Sequence, residues 1–292
     1  MNNRFLSCLV VAILLLFSSC KDEKIHVILL AGQSNMEGAG NFNALDSLTL
    51  ARIKKISSRV MLSNGGKEAA SISFQYSKHH KEKYGFGERF GPEMMMALDL
   101  AAANPDREYL FIKYAQGGTS LYGAWNPNWD AEKADMAENK DFKKKLKLYS
   151  LHTTQIKENL ERLKQQGKEY EIIAMGWLQG ENDAAREFSA ISYKENLQEL
   201  ISAYRDVVGN NELPFIIGQI NSTYGRFKEG PAVVRKAMEE VAAADNKVGI
   251  VKTSTNSTWS DYPKHSDNTH YNTEGQKRLG FAFAEELVRL QD

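Results

Sequence analysis

Cysteine is nearly absent from this 292-residue chain: there are two, Cys8 and Cys20, both within the first twenty residues. From Lys21 onward an internal disulfide, a cysteine nucleophile and a thiolate metal site are therefore excluded. A dominant charge is lacking as well, because 37 Lys and Arg face 37 Asp and Glu. No overall field draws the protein to nucleic acid or to an anionic membrane surface. The six histidines show no metal-ligand spacing, and the adjacent His79 and His80 are poorly arranged to share one ion. A metal site is therefore not expected. Beyond Cys20 no apolar run is long enough to span a bilayer. Linkers, internal repeats and low-complexity stretches are missing too.

The beginning of the chain does hold an apolar run. Arg4 supplies a positive start, Leu9 to Phe17 are apolar, and Ser18 and Ser19 precede Cys20. This order resembles a bacterial lipoprotein signal whose cysteine is acylated, with Phe17 departing from the usual aliphatic residue. An ordinary secretory signal is the alternative. Lys21, Asp22 and Glu23 resemble the surface-export tag of Bacteroidetes lipoproteins. Residues 1–20 are accordingly read as a signal peptide, and residues 21–292 as one domain. The expected location is the cell envelope, facing outward on the outer membrane of a Bacteroidetes-like bacterium. Membrane contact is expected only through lipid on Cys20.

Hydrophobic residues make up 42% of the chain, enough for a sizeable core. Near-continuous apolar runs at Ile25–Ala31, Arg59–Leu62, Tyr109–Ala115, Ile172–Leu178, Pro214–Ile220 and Val248–Lys252 have the pattern of strands buried on both faces. Segments of helical period lie between them: Pro92–Ala103, Phe142–Gln166, Ser192–Val208, Pro231–Ala244 and Thr273–Leu290. Pro92 and Pro231 suit first-turn positions, and Thr273 with Gln276 forms a capping box. The basic run Lys140–Lys147 reads as a solvated helix face. Alternating strands and helices predict an α/β fold, a three-layer α/β/α sandwich around a parallel sheet of five or six strands.

Ligands of such sheets bind beyond the carboxyl ends of the strands. Four polar, glycine-bearing segments follow strands or precede the last helix: Gly32-Gln33-Ser34-Asn35-Met36, Gln116-Gly117-Gly118-Thr119-Ser120, Gln179-Gly180-Glu181-Asn182-Asp183 and Asp267-Asn268-Thr269-His270. Ser34 is a candidate nucleophile, though Met36 excludes the Gly-x-Ser-x-Gly elbow. His270 is the candidate base and Asp267, three residues earlier, its partner; His265 with Asp261 is a competing pair. A Gly117 or Gly118 amide, the Ser34 amide and the Gln179 side chain are candidate oxyanion donors. Glu181 and Asp183 form a carboxylate pair. Trp125 and Trp129 lie in a loop, where they either stack on sugar rings or simply pack.

In this order the segments resemble the SGNH hydrolase superfamily, with its flavodoxin-like fold. More narrowly they resemble the sialate O-acetylesterase-like group that includes carbohydrate esterase family six and its acetylxylan esterases. Five blocks carry the likeness: Gly32–Met36, Gly91-Pro92-Glu93, Lys113–Leu121, Trp177–Asp183 and Asp267-x-x-His270. The resemblance implies Ser34 as nucleophile, His270 as general base and Asp267 as its orienting acid. It also implies Ser34, Gly118 and Gln179 as the oxyanion hole, with Glu181 as the alternative acid or a substrate-positioning residue. The implied activity is hydrolysis of O-acetyl esters on glycans, such as acetylated xylan or O-acetylated sialic acid, with no cofactor. A non-catalytic glycan-binding lipoprotein on the same scaffold is the competing reading, and an acyl-chain lipase or thioesterase is a third. If Cys20 carries the lipid, Cys20→Ala moves the protein from the membrane fraction to the soluble one. A wild-type protein that fractionates as soluble and unacylated contradicts that reading.

Overall fold

The computed structural model describes residues 24–291 apart from 257 and 259, so the leader and Cys20 lie outside the described residues. Ten strands occur among these: β1 (Ile25–Gly32), β2 (Gly40–Asn41), β3 (Val60–Asn64), β4 (Ala70–Ser71), β5 (Gln75–Tyr76), β6 (Glu88–Phe90), β7 (Glu108–Ala115), β8 (Tyr170–Leu178), β9 (Phe215–Gly218) and β10 (Val248–Val251). Seven build the main sheet in the order β10-β9-β8-β1-β7-β3-β4. Six of them run parallel and match the six predicted runs to within two residues at each end. Only β4 is antiparallel, a two-residue edge strand on β3. A small antiparallel sheet, β2-β6-β5, lies outside the parallel array.

The sheet is covered on both faces, as its apolar strands require. All eight residues of β1 are buried. Val27, Leu29 and Ala31 enter one hydrophobic cluster, whereas Ile28 and Leu30 enter the other. That split is the alternation of side chains along a strand. The first cluster includes residues of the helices Leu148–Gln165, Tyr193–Val208 and Gly230–Ala244. The second includes residues of Ser47–Ile56, Pro92–Ala103 and Thr273–Gln291.

Two helical expectations are corrected. The segment predicted as one helix over Phe142–Gln166 is a short helix, Asp141–Lys144, followed by Leu148–Gln165. The break lets the Leu148 amide donate to the Ala124 carbonyl at 2.8 Å. It also turns Lys143 inward to 6% exposure, so the basic run is not a uniformly solvated face. The last helix is not capped by a Thr273–Gln276 box. Asn272 Oδ1 accepts from the Glu274 and Gly275 amides, and the two expected partners serve other segments. Thr273 Oγ1 accepts from the Asn41 amide, and Gln276 Nε2 donates to the Asn35 carbonyl.

Register decides where the loops go. Gly32 at the end of β1 is level with Ala115 of β7 and Leu178 of β8. Three chain segments therefore leave the sheet side by side, with neighbouring strands roughly 4.8 Å apart. From β1 the chain builds β3 and β7 on one side, then β8, β9 and β10 on the other, so the strand order reverses here. Gly32 is needed at this point because a Cβ there would sit 2.1 Å from the Leu178 carbonyl oxygen.

Beneath the turn lies a buried ion pair. Lys113 of β7 reaches Glu93 Oε2 at 2.6 Å, and the two side chains are 0% and 1% exposed. Lys113 also donates to the Glu37 carbonyl, and Glu93 accepts from the Gly91 amide. Burial lowers the Lys113 pKa, and the neighbouring Glu93 charge opposes that shift. Removing one partner strands a charge. Glu93→Gln should therefore cost about 3–5 kcal/mol in urea denaturation, and the double variant Glu93→Leu/Lys113→Met should recover most of it. Equal losses in the single and double variants would contradict this.

Candidate active site

Ser34 opens the four-residue helix Ser34–Glu37 directly beyond β1. It lines a cavity of about 430 Å³ together with Gln33, Gly117, Gly118, Glu181 and His270. Four predicted segments thus supply residues to one cavity. Gly117 lies against the serine: a Cβ at that position would be 3.3 Å from Ser34 Cβ.

His270 is held from one side by Asp267. Its Nδ1 lies 2.7 Å from Asp267 Oδ2, and its backbone amide donates to Oδ1 at 3.0 Å. With Nδ1–H facing the carboxylate, Nε2 carries the lone pair of the neutral ring. Asp267 also accepts from Lys83 Nζ and the Tyr84 hydroxyl, each at 2.7 Å, and from the Thr269 amide. Burial pushes the Asp267 carboxyl up. The donors from the His270 amide, Lys83, the His270 ring and Tyr84 outweigh it and hold the group well below the usual carboxylate range. Tyr84 is driven in the other direction, by burial and then by Asp267, and stays a neutral donor. His80, also on the cavity wall, is lowered to about 3 by burial and then by the Arg89 charge, so it is neutral.

Among the described residues no hydrogen bond joins Glu181 to His270. Glu181 Oε1 accepts from Asn35 Nδ2 at 2.7 Å, and its buried Oε2 has no partner among the described residues. Asn35 then brackets the histidine: Nδ2 reaches the Thr269 carbonyl at 3.2 Å, and Oδ1 accepts from the Tyr271 amide at 3.1 Å. Among the described residues, no hydrogen bond joins Ser34 Oγ to His270; the two share the cavity wall. The competing pair is separated from this chemistry, with His265 Nε2 bound to the Ala39 carbonyl and Asp261 accepting from the Ser254 amide.

The Gly-Gly turn discriminates between its two amides. Gly117 N–H is occupied, donating to Glu37 Oε1 at 2.9 Å. The Gly118 and Ser34 amides have no acceptor among the described residues. Gly118 needs its lack of a side chain, since it has a φ of 62° and a Cβ would lie 2.8 Å from Lys143 Nζ.

The family described as carbohydrate esterase, sialic acid-specific acetylesterase, matches residues 24–289. The chain belongs to this family. Its members are carbohydrate acetylesterases, so the protein is a carboxylic ester hydrolase acting on O-acetyl groups of carbohydrate. No curated protein matches the acetylesterase. Among solved structures it is similar to a protein of Arabidopsis thaliana at 21% identity and a TM-score of 0.65, covering 91% of this chain and 98% of the other. A carbohydrate acetylesterase from Xanthomonas citri shares 20% identity at a TM-score of 0.60, over 91% of this chain and 56% of that one. NanS shares 13% at 0.63, over 92% and 98%. These likenesses show the α/β fold.

Gln179 does not stand where the sequence suggested, and the open readings of the loop tryptophans and of Asp183 resolve to packing and to loop support. Gln179 is fully buried and is not on the cavity wall. Its Nε2 is engaged by the Thr119 carbonyl at 2.9 Å and by Asp183 Oδ2 at 2.5 Å, so it braces the Gly-Gly loop from behind. Trp125 is fully buried, edge-on to Trp177 at 5.3 Å, with its N–H on Thr119 Oγ1. Trp129 lies beneath Lys147, whose Nζ is 4.4 Å from the ring centre, and it too is off the cavity. The aromatic residues that do line the cavity are Tyr84, Phe142 and Tyr224. Sequence reasoning gave no role to these three or to Lys83, Glu37, Asn35 and Lys143. Only Asn35 had a signal, its place in the serine block. Asp183, proposed in a carboxylate pair with Glu181, instead accepts the Leu121 and Tyr122 amides and the Ser189 hydroxyl. Among the described residues there is no cluster of three His, Cys, Asp or Glu that could hold a metal.

Asp267 has its folded pKa depressed, so its stabilising contribution is complete above the unfolded value of about 3.9 and is lost as pH falls through and below it. The melting temperature of Asp267→Asn should therefore trail wild type most near neutral pH. The gap should close as pH drops below about 4. A gap independent of pH would show that the charge of Asp267 is not what these donors stabilise.

Proposed function

We propose that the protein removes acetyl groups from sugar hydroxyls through an acetyl-serine intermediate, with Ser34 as nucleophile, His270 as base and Asp267 as the orienting acid. The observation that carries this reading is the Asp267–His270 pair, facing the same cavity as Ser34 and the unoccupied Gly118 amide. In this reading His270 Nε2 takes the Ser34 proton as Oγ attacks the acetyl carbonyl. The Ser34 and Gly118 amides receive the oxyanion, and each such donor contributes roughly 3 kcal/mol to the transition state. His270 then protonates the departing sugar alcohol. Water, activated by the same histidine, releases acetate and restores Ser34. Glu181, which lines the cavity and accepts from Asn35, positions substrate and braces Asn35. We also propose export and attachment to the cell envelope through Cys20. The substrate class is an O-acetylated glycan, either a plant polysaccharide such as xylan or an O-acetylated sialic acid.

The test is kinetic. Ser34→Ala should abolish release of acetate from acetylated polysaccharides and O-acetyl sialic acids, and a fluorophosphonate probe should label Ser34. Ser120 should stay unlabelled, since its hydroxyl is bound to Glu138. Asp267→Asn should lose kcat by on the order of 10²-fold with KM nearly unchanged, because the residue acts on the base and not on the substrate. Glu181→Gln should be milder or should act mainly on KM. If Glu181→Gln loses kcat as deeply as Ser34→Ala while Asp267→Asn stays active, the assignment of the acid is wrong.

A further inference from the structure

Lys143 has no part in the chemistry just described, yet its ammonium is buried at the cavity wall. It donates to the Gly117 carbonyl at 2.6 Å and to the Gly118 carbonyl at 2.9 Å. Among the described residues it makes no direct ion pair, and the Glu138 and Glu37 charges act on it only through space. Burial works against this charge more than the two carboxylates favour it, so holding it here on backbone carbonyls is costly. A neutral side chain would hold an ordinary loop at lower cost, so the position of this lysine calls for a function.

Peptide geometry supplies one. In a trans peptide the C=O and N–H point in opposite directions, and the chain has no cis bond among the described residues. The Gly117 carbonyl and the Gly118 N–H belong to one peptide plane. The Gly-Gly turn lies between two neighbours: a Cβ on Gly117 would face Ser34 Cβ, and one on Gly118 would face Lys143 Nζ. Drawing the Gly117 carbonyl toward Lys143 therefore directs the Gly118 N–H to the opposite, Ser34 side. On the other flank, Glu37 holds the Gly117 amide and fixes the preceding peptide. Without the ammonium, a Gly-Gly peptide is free to flip, because glycine populates both signs of φ.

We propose that Lys143 is a positioning residue for ester hydrolysis: by gripping the Gly117 and Gly118 carbonyls, it fixes the Gly118 amide as an oxyanion donor. This rests on the reading of Ser34 as nucleophile. The experiment compares Lys143→Met with wild type on p-nitrophenyl acetate and on its thiono analogue, in which sulfur replaces the carbonyl oxygen. Sulfur is a poor acceptor, so the ester-to-thionoester ratio of kcat reports how well the oxyanion donors are aimed. Because both rates come from one preparation, the ratio does not depend on the fraction of protein that is folded. The expected result is a fall in kcat of about 10–100-fold on the ester with KM nearly unchanged, and a ratio reduced about tenfold. An unchanged ratio, whatever happens to kcat, overturns the proposal and leaves Lys143 a loop brace. Should Lys143→Met not fold, the same ratio is read in Lys143→Gln, which keeps an N–H for the Gly117 carbonyl and should fall between the two. A Ser34→Ala protein that retains esterase activity would instead defeat the underlying assignment, a result distinct from failure of the Lys143 proposal alone.

Discussion

The carboxamide of Asn35 joins segments that the chain keeps far apart. It donates to Glu181, 146 residues away, and to the Thr269 carbonyl, 234 away, while accepting from the Tyr271 amide. The Asn35 backbone carbonyl takes a fourth bond, from Gln276 of the last helix. With Asn35 1% exposed, its bonds to Glu181, Tyr271 and Gln276 are buried, where an unmade bond leaves a costly unsatisfied group. The arrangement holds the residues on either side of His270 without touching its ring. The ring is left to Asp267, and Asp267 in turn is held by Lys83 and Tyr84 from the helix Lys78–Tyr84.

A second layer of buried polar residues supports the loops that face the cavity. Asp183 gathers the Leu121 and Tyr122 amides, the Ser189 hydroxyl and Gln179, and Gln179 passes one bond on to the Thr119 carbonyl. Glu138 collects the Ser120 and Ala124 amides with the Ser120 hydroxyl. Burial raises the pKa of both carboxyls, and these donors pull against that rise. Both buried carboxylates thus hold the backbone of the loops that face the cavity.

The parts legible in the sequence are those governed by local pattern. Strands buried on both faces leave uninterrupted apolar runs, and this is why all six parallel strands and the places where they end could be read directly. The Asp267–His270 pair was legible for a similar reason, since three residues of separation let a short turn close. What could not be read depends on partners distant in the chain. Gln179 looked available as a donor because nothing local reveals that Asp183 and Thr119 occupy it. For Trp125 the sequence left stacking and packing both open, because nothing local reveals that it fills the space beside Trp177. Lys143 looked solvated because a helical period was assumed to continue where the chain breaks and turns it inward. Lys83 and Tyr84 belong to a segment with no strand-end signal.

The last helix begins at Thr273, beside the His270 loop, and runs for 19 residues to Gln291. At 1.5 Å per residue this is about 28 Å, close to the length of the eight-residue β1 strand, roughly 26 Å. The two run in opposite senses, since β1 ends at the cavity and the helix begins there. Their far ends come together: His26, Leu290 and Gln291 line one shallow depression at the amino edge of the sheet. Any segment joined before Ile25 or after Gln291 therefore leaves from the pole opposite Ser34. A tether or a fused module at either end would attach on the side away from the cavity, and linker length would govern reach without altering access.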